Sequence, residues 1–358
     1  MTSILISSSE KYSGKTSLCA GIGMILRDMG FSVGYMKPIG NLLLDVDGVL
    51  CDEDSEQIRR IFDLKDPSSR ITPILLTENL INDALSNAKK DLDKTLLDAY
   101  STISEGKDIM LVEGAGGIGS GVMYDLSDPQ IASILNTKIL LITRYDSVFA
   151  VDRILCDIKL LPNIDMLAGV ILNEVDASQM GQISEMVVPF LEKRGINVFG
   201  MIPQDSTLRS VTISEIVEDL RADVLAGADR LEELVEHYLV GAMEVNSAIK
   251  YFRRTPNSVV ITGGDRSDIQ MAAIEARVRC LVLTGNLRPS EAVLGSAEEA
   301  NIPIILVRGD TMSTIERMER LIGHARIKQS VKLDRMVELI KDNVDVDKLI
   351  SAMDIETD

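Results

Sequence analysis

The sequence contains few of the side chains on which metal and redox chemistry usually depends. It has two histidines in 358 residues, His237 and His324, so a histidine-based metal site or a Ser-His-Asp triad is not expected. Its four cysteines are far apart and none forms a CxxC pair, so neither a zinc site nor a disulfide framework is indicated. We expect reduced, largely buried thiols at Cys19, Cys51, Cys156 and Cys280.

Positive charge is scarce as well. Lys and Arg number 37 against 55 Asp and Glu, and the formal net charge is -18. Proteins that bind the phosphate backbone of DNA or RNA need basic surfaces, so no nucleic-acid partner is expected. No apolar run reaches the roughly 18 residues of a membrane span, and the N-terminus shows no signal-peptide pattern. These features predict a cytoplasmic protein that has no membrane partner.

Apolar segments of strand length alternate with longer amphipathic segments along the chain. Several strand-like runs are continuously apolar, as in strands buried on both faces, and the alternation predicts an α/β fold with a doubly wound parallel sheet. The pattern restarts after Pro203, where a second, smaller α/β domain is expected. We place the first domain at residues 1–204, the second at 211–325 and a charged helical C-terminal segment at 326–358. Within the second domain, residues 231–239 are predicted to be helical, with a strand near Val240.

The segment ISSSEKYSGKTSL, at residues 6–18, has the order of a phosphate-binding loop. It follows a predicted strand and leads into a predicted helix, so its backbone N–H groups can point at phosphates. Lys15 is then a candidate to neutralise phosphate charge, and Thr16 to join the Mg²⁺ shell. Ser9 stands where such a loop normally begins with glycine. The alternative is therefore a Ser/Gly-rich turn that contains Gly-Lys-Thr by coincidence.

Charged side chains at three other places are candidates for the same site. Lys37 ends the second predicted strand and would project from the same sheet edge as the loop, unless it is a solvated surface lysine. Glu113 ends a buried strand, where a carboxylate can serve Mg²⁺. Asp52, Glu53 and Asp54 lie near a predicted helix start, where they either complement the helix dipole or supply a second Mg²⁺ ligand.

Two other motifs are weak. GAGGIG, from Gly114 to Gly119, satisfies the dinucleotide pattern GxGxxG, but it follows a later strand and lacks the acidic residue expected about 20 positions on. DVDG, from Asp45 to Gly48, suggests part of a calcium loop, but Leu43 occupies the position of its first acid. We expect neither a dinucleotide site nor a calcium site.

The motifs EKYSGKTS, YMKP, LVEGAGG and GVILN…GMIP together resemble those of dethiobiotin synthetase and cobyrinic acid a,c-diamide synthetase over roughly residues 1–204. In that family the phosphate loop ends in Gly-Lys-Thr but begins variably, so Ser9 is tolerable. The resemblance implies a P-loop NTPase-like fold, with ATP and Mg²⁺ as cofactors.

The resemblance also implies roles for individual residues. Lys15 and Lys37 match the family's two catalytic lysines, which face phosphate. Its Mg²⁺ ligands are matched by Thr16, Glu113 and Asp54, with Asp52 as a rival. Asn173 matches the asparagine at the adenine base, with Ile202 and Pro203 beside it, and Gly114 and Gly116 belong to the loop after Glu113. The implied nucleotide-binding set is Glu10, Lys11, Tyr12, Ser13, Gly14, Lys15, Thr16, Ser17, Asn173 and Pro203.

The sequence departs from the family on the substrate side. Glu10, Lys11 and Tyr12 replace an acid-threonine-acid stretch, and Asn41 stands where dethiobiotin synthetase has a substrate-contacting serine. We therefore expect that ATP and Mg²⁺ binding are retained and that the dethiobiotin substrate is not.

The second half resembles the DRTGG domain. Asp265 and Arg266 follow a Gly-Gly turn, and Thr284-Gly285-Asn286 follows the next strand, with asparagine in place of the final glycine. Asparagine also tolerates positive φ, so the change is mild. Asp265 and Arg266 either bind an anion or form a buried ion pair that fixes the turn.

This order of domains resembles the N-terminal regulatory half of long phosphotransacetylases, whose catalytic domain is not expected in this sequence. The leading interpretation is an ATP/Mg²⁺-binding, homo-oligomeric protein that regulates a metabolic enzyme such as a separate acyltransferase. One alternative is an ATP-dependent ligase or slow ATPase, in which Lys15, Lys37 and Mg²⁺ offset charge on a transferred phosphoryl group. The other is a structural assembly module with a dead nucleotide site.

Overall fold

The computed structural model describes residues 1–46, 48–86, 91–323 and 329–353. The chain divides into two compact units, Met1–Gln204 with Ile327–Asp358, and Asp205–Arg326. His324 and the sequence-based boundary at 325–326 lie outside the described residues, as does one residue of the DVDG motif.

The first unit is built on a six-stranded, wholly parallel sheet in the order β10-β9-β8-β1-β7-β2. Two short strand pairs accompany it, with β3 parallel to β6 and β4 antiparallel to β5. The strands are β1 (Thr2–Ser8), β2 (Val33–Met36), β3 (Ile39–Gly40), β4 (Leu43–Val46), β5 (Val49–Asp52), β6 (Ile74–Leu75), β7 (Ile109–Glu113), β8 (Lys138–Arg144), β9 (Leu167–Val175) and β10 (Val198–Pro203).

Helices connect these strands and cover the sheet. They are α1 (Lys15–Asp28), α2 (Glu53–Ile61), α3 (Ser68–Ile71), α4 (Glu78–Leu85), α5 (Leu92–Ser104), α6 (Asp128–Leu135), α7 (Phe149–Ile158), α8 (Met180–Gln182) and α9 (Val188–Glu192). One core cluster joins α5, α6 and α7 to sheet residues such as Leu5, Met110 and Val112. Ile4 and Leu111, which alternate with these along the strands, are buried as well, so the sheet is covered on both faces.

The second unit has a five-stranded sheet in the order β12-β17-β16-β15-β14, in which only β12 is antiparallel to its neighbour. Its elements are α10 (Ser206–Arg209), β11 (Val211–Thr212), α11 (Ile213–Leu220), β12 (Asp223–Ala226), β13 (Leu234–Val235), β14 (His237–Val240), α12 (Val245–Arg254), β15 (Ser258–Gly263), α13 (Ser267–Glu275), β16 (Cys280–Thr284), α14 (Glu291–Ala300), β17 (Ile304–Leu306) and α15 (Thr311–Gly323). Helices α12, α13 and α14 pack on one face, and α11 and α15 on the other.

Two C-terminal helices, α16 (Ser330–Asn343) and α17 (Val346–Ala352), pack on the first unit. Helix α16 lies against α1 so closely that a Cβ on Gly21 would come within 2.5 Å of Ile340 Cδ1. Beyond α16, the amide of Asp345 donates to Phe199 O at the edge strand β10. This segment therefore extends the fold of the first unit.

Most of the strands follow the sequence prediction, but the helix predicted at residues 231–239 is wrong. That segment contains β13 and the first part of β14. The register of β14 runs from His237 opposite Ser258 to Val240 opposite Ile261, so pairing with the central strand β15 outweighs local helix propensity. The thiols of Cys19, Cys51 and Cys280 are buried, whereas Cys156 is exposed. None of the described helices is long and apolar enough to cross a membrane.

Candidate functional site

The loop between β1 and α1 has the geometry that phosphate binding requires. Gly14, immediately before α1, has φ +88, and Tyr12 has φ +60, so the chain turns through left-handed conformations before the helix begins at Lys15. A Cβ on Gly14 would lie 2.6 Å from Asn173 Nδ2, so glycine is needed here for space as well as for conformation. The 14-residue helix α1 therefore begins directly at the loop, where its unpaired N–H groups favour an anion.

Lys15 is buried, and its ammonium is held by uncharged groups. Nζ donates to Ser8 Oγ at 2.7 Å and to Gly116 O at 2.6 Å. Burial lowers the pKa of Lys15, and the carboxylates of Glu113 and Asp128 offset this only in part. Among the described residues no carboxylate lies at hydrogen-bonding distance from Lys15 Nζ, and a phosphate at the loop would supply that anionic partner.

Glu113, at the end of β7, accepts hydrogen bonds from residues at two other strand–helix junctions. Its Oε1 accepts from Thr16 Oγ1 at 2.6 Å and its Oε2 accepts from Tyr35 OH at 2.8 Å. Burial raises the pKa of Glu113, while Lys37 and the Thr16 hydrogen bond oppose that increase. The residue that ends β7 and the threonine of the loop therefore meet, as the sequence predicts.

Lys37 is almost fully buried, so the alternative of a solvated surface lysine is wrong. Its Nζ lies 2.8 Å from Asp52 Oδ1 and 2.7 Å from Asp54 Oδ2. Burial alone would lower the pKa of Lys37, but the carboxylates of Glu113, Asp54 and Asp52 outweigh it and hold the pKa above its ordinary value. The charged ammonium is thus fixed at the sheet edge beside Glu113.

Asp52 and Asp54 differ in how fully their oxygens are engaged. Asp52 is the N-cap of α2, where Oδ1 accepts from Ser55 N at 3.1 Å, and its Oδ2 accepts from the amides of Asn41 and Leu42 at 3.0 Å. Among the residues that the structure describes, the Asp54 side chain accepts a hydrogen bond from Lys37 alone, and it is 15% exposed. Helix capping therefore accounts for Asp52, whereas Asp54 keeps acceptor capacity.

The loop after Glu113 packs against a second buried carboxyl group. Asp128, the first residue of α6, accepts a hydrogen bond from Ser7 Oγ, and its Oδ1 has no hydrogen-bond partner among the described residues. A Cβ on Gly114 would come within 2.3 Å of Asp128 Oδ2, so glycine is required for this contact. Burial raises the pKa of Asp128 to about 7, against the Ser7 hydrogen bond and the charge of Lys15.

The remaining loop residues lie on the side where the sequence departs from its family. Lys11 and Tyr12 are exposed, and Glu10 pairs with Arg144 at the end of β8 at 3.3 Å. Ser13 is buried and donates to Glu10 O at 2.6 Å.

Three further residues that the sequence analysis named lie on other elements of the first unit. Ser17 is half-buried on α1, Asn41 Nδ2 donates to Ala115 O at 2.7 Å, and Pro203 ends β10 opposite Val175 of β9.

The donor set fits a magnesium ion that is completed by phosphate. Thr16, Glu113 and Asp54 offer a hydroxyl and two carboxylates, which are the hard oxygen ligands that Mg²⁺ prefers. Within the part of the chain that the structure describes, no three His, Cys, Asp or Glu side chains converge on a metal position. An all-protein cage is therefore not formed, and Mg²⁺ would need oxygens from phosphate and water as well.

Asp265 and Arg266 connect β15 to α13 in the second unit. The Arg266 guanidinium pairs with Asp268 Oδ1 at 2.9 Å and Oδ2 at 3.0 Å, and the two side chains are 39% and 49% exposed. The expected alternative of a buried ion pair is therefore wrong. Gly264 packs so tightly that a Cβ there would lie 1.8 Å from Leu287 O.

The second part of the DRTGG-like motif, Thr284-Gly285-Asn286, connects the ends of neighbouring strands by hydrogen bonds. Thr284 Oγ1 lies 2.7 Å from Thr311 Oγ1, and Gly285 donates its amide to Gly309 O at 2.8 Å. Gly285 and Asn286 have φ values of 78 and 56, so asparagine does adopt the left-handed conformation that the missing glycine would allow.

Sequence reasoning missed three buried residues that contact the site residues. Tyr35 contacts Glu113, Ser8 contacts Lys15, and Asp128 contacts the Gly114 loop. Tyr35 lies two residues before Lys37 in the YMKP motif, and this spacing places both on the same face of the strand. For Ser8 and Asp128 no sequence pattern gives an equivalent signal.

Comparison with known proteins assigns both halves of the chain. The AAA domain family matches residues 2–212, and the DRTGG domain family matches residues 215–321. The chain is 27% identical to the phosphate acetyltransferase of Synechocystis sp., over 98% of this chain and 52% of that enzyme. It is 25% identical to the phosphate acetyltransferase of Nitratidesulfovibrio vulgaris, over 98% of this chain and 51% of that enzyme.

The first half also matches a smaller enzyme along most of that enzyme's length. The ATP-dependent dethiobiotin synthetase BioD of Nitrosopumilus maritimus is 25% identical, over 60% of this chain and 95% of that enzyme. The chain spans about half the length of the phosphate acetyltransferases that it matches. It belongs to the AAA domain family, with a dethiobiotin-synthetase-like P-loop domain followed by a DRTGG domain, and it is homologous to the N-terminal part of phosphotransacetylases.

Proposed function

We propose that the first unit binds ATP with Mg²⁺ and that nucleotide occupancy regulates a metabolic enzyme. The observation that supports this most directly is the convergence of Lys15, Thr16, Glu113 and Lys37 at one edge of the parallel sheet. Ligands of open α/β sheets bind at this carboxyl edge, and here it coincides with a loop that leads into a helix N-terminus.

In this proposal each residue has a distinct role. Lys15 and the N-terminus of α1 hold phosphate, and Lys37 offsets charge on the terminal phosphate. Thr16, Glu113 and Asp54 hold Mg²⁺, which when bound neutralises phosphate charge. Asp54 is preferred to Asp52 because the oxygens of Asp52 cap α2 and accept two loop amides. The resemblance to dethiobiotin synthetase supports a place for the base of the nucleotide beside the ends of β9 and β10, with Pro203.

Regulation is preferred to ligation because of the substrate side of the site. Asn41 is engaged with Ala115 O, and Glu10 pairs with Arg144, so the residues that depart from dethiobiotin synthetase already contact protein groups. The set of Lys15, Thr16, Lys37 and Glu113, which matches the motifs of dethiobiotin synthetase, favours the second candidate, an ATP-dependent ligase. A ligase hydrolyses ATP at a useful rate only when its acid is present, whereas a sensor needs only different affinities in its two states.

The partner side of the proposal rests on homology with phosphate acetyltransferases. The chain matches about half of those enzymes, so the acetyl transfer that their name denotes is not assigned to it. We propose that the DRTGG domain passes nucleotide occupancy to an acyltransferase in the cytoplasm. Exposed apolar side chains after three neighbouring strands, Tyr12, Val122 and Phe149, further suggest a homo-oligomer through this edge.

Calorimetry on Lys15→Ala tests the nucleotide site. The variant removes the only lysine of α1's first turn, and we expect it to abolish ATP-Mg²⁺ binding, while Lys94→Ala on the exposed side of α5 binds as the parent does. Equal ATP affinity in Lys15→Ala and the parent chain would exclude the phosphate-loop assignment.

Two further measurements separate regulation from ligation. We expect slow ATP hydrolysis that diaminopelargonic acid hardly stimulates, together with ATP-dependent hydrogen exchange near Asp265 to Asp268. Strong stimulation of hydrolysis by an amine–carboxylate pair, without any change in exchange in the second unit, would favour the ligase.

A further inference from the structure

Asn173, near the end of β9, is in contact with the phosphate loop itself. The residue is 4% exposed, and its Nδ2 donates to Ser13 O at 2.9 Å. The same nitrogen would lie 2.6 Å from a Cβ on Gly14, so the amide sits directly against the Ser13–Gly14 peptide. The Asn173 side chain thus joins the loop to the sheet across 160 residues of sequence.

This contact fixes the direction of one loop peptide. A trans peptide is planar, and its C=O and N–H point in opposite directions. When Asn173 holds the Ser13 carbonyl on its own side, the Gly14 N–H must point to the other side of the loop. Gly14 then turns at φ +88 into α1, whose first residue is Lys15. Successive N–H groups that point to one side of such a turn form a concave anion-binding site.

We infer that Asn173 is a positioning residue for the phosphate loop, so that it acts on phosphate binding whether or not the ligand carries a base. The inference rests on the proposed nucleotide site and specifies how that site is held in shape. An amide nitrogen has a second N–H and the amide oxygen is an acceptor, so the hydrogen bond from Nδ2 to Ser13 O leaves groups for the base contact that the resemblance to dethiobiotin synthetase implies. The positioning role is additional to that contact, and only a ligand without a base separates the two.

The two roles predict different responses to ligands that lack a base. Asn173→Ala removes the donor, and Asn173→Leu removes it while keeping volume in the buried position. Binding of ATP-Mg²⁺, GTP-Mg²⁺ and Mg²⁺-tripolyphosphate is measured for each by calorimetry. Loss of one hydrogen bond in the loop should weaken Mg²⁺-tripolyphosphate by ~5–10-fold, and ATP-Mg²⁺ and GTP-Mg²⁺ by at least as much.

Asn197→Ala is the matched control. Asn197 also donates from Nδ2 to a backbone carbonyl of the first unit, Ala168 O at 3.3 Å, but that carbonyl is not in the loop. We expect Asn197→Ala to bind all three ligands as the parent does. Hydrogen exchange without ligand supplies a second readout, because Asn173→Ala should speed exchange of the amides from Lys11 to Lys15 and leave the central strand β8 unchanged.

The outcomes are distinct. A loss of ATP affinity with unchanged tripolyphosphate affinity would show that Asn173 reads the base and would overturn the inference, as would unchanged affinity for every ligand. If the parent chain binds neither ATP nor tripolyphosphate, the proposed function fails, and the inference fails with it. Weakening of tripolyphosphate together with both nucleotides, with the loop alone exchanging faster, supports the positioning role.

Discussion

Asp128 provides the sharpest test of the electrostatics at this site. Its carboxyl group is fully buried, and burial raises its pKa from 3.8 to about 7. One oxygen accepts from Ser7, and the other has no hydrogen-bond partner in the part of the chain that the structure describes. Asp128→Asn keeps the shape and an acceptor for Ser7 and removes the titration. The variant therefore isolates the free-energy cost of ionising this group in the folded chain.

The sign and size follow from the pKa values. A raised pKa means that the folded state binds the proton more tightly, so the stability that this group contributes is complete below about pH 4 and is lost as pH rises through 7. The difference between 3.8 and about 7 corresponds to ~4 kcal/mol, at about 1.4 kcal/mol for each step of one in pKa. Relative to the parent, Asp128→Asn should gain stability between pH 4 and pH 8 by an amount of this order.

Native-state hydrogen exchange of β1 and β7 amides, measured from pH 5 to pH 8, reports the opening free energy of the first unit alone. Asp146→Asn is a control of opposite sign, because a hydrogen bond from Arg153 lowers the pKa of Asp146. That variant should lose stability at neutral pH relative to acid pH. Parallel pH profiles for Asp128→Asn and the parent chain would refute the claim that this carboxyl group is held protonated by burial.

Three other variants test separate parts of the structure. Tyr35→Phe leaves Glu113 Oε2 without its donor and should lower the unfolding free energy of the first unit by ~1–3 kcal/mol, measured by denaturant unfolding. Gly264→Ala forces a Cβ into Leu287 O and should destabilise the second unit by at least ~2 kcal/mol. The control is Gly295→Ala in α14, where an added Cβ meets no atom within 4 Å, so this variant should be neutral or stabilising. Limited proteolysis distinguishes the two variants. Phe149→Glu should convert the proposed oligomer to monomer in analytical ultracentrifugation. Met312→Glu, at a similarly exposed position of the second unit, should not. An unchanged mass for Phe149→Glu would exclude the carboxyl edge of the parallel sheet as the interface.

The phosphate loop is predictable from sequence because its geometry is local. Strand, turn and helix follow one another within residues 2–28, and Gly14 marks the one position where a left-handed turn and a close side chain coincide. Lys37 and Glu113 are predictable for a related reason. Each ends a buried strand, and parallel strands bring their carboxyl ends to a common edge.

What the sequence does not show is which partner each charged group takes. The alternative of a solvated Lys37 fails because Asp52 and Asp54, carried on β5 and α2, fold over it. The helix predicted at residues 231–239 fails because strand pairing with β15 is a long-range interaction that local composition does not encode. Asp128 is not predictable from the sequence, because only the folded chain brings α6 against Gly114.

The partners of the charged groups bear on why this site would suit a sensor. Lys15 is held by Ser8 and Gly116, Thr16 by Glu113, and Lys37 by Asp52 and Asp54. In the proposed site, phosphate and Mg²⁺ would therefore exchange with protein partners, and part of their binding free energy would be used to release them. Two of these partners, Gly116 and Asp54, belong to the Gly114–Gly116 loop and to α2, so occupancy of the site would change the free energy of two segments outside the phosphate loop. Anything that stabilises either segment in its released form would raise nucleotide affinity by the same factor, which is the reciprocal coupling that regulation requires.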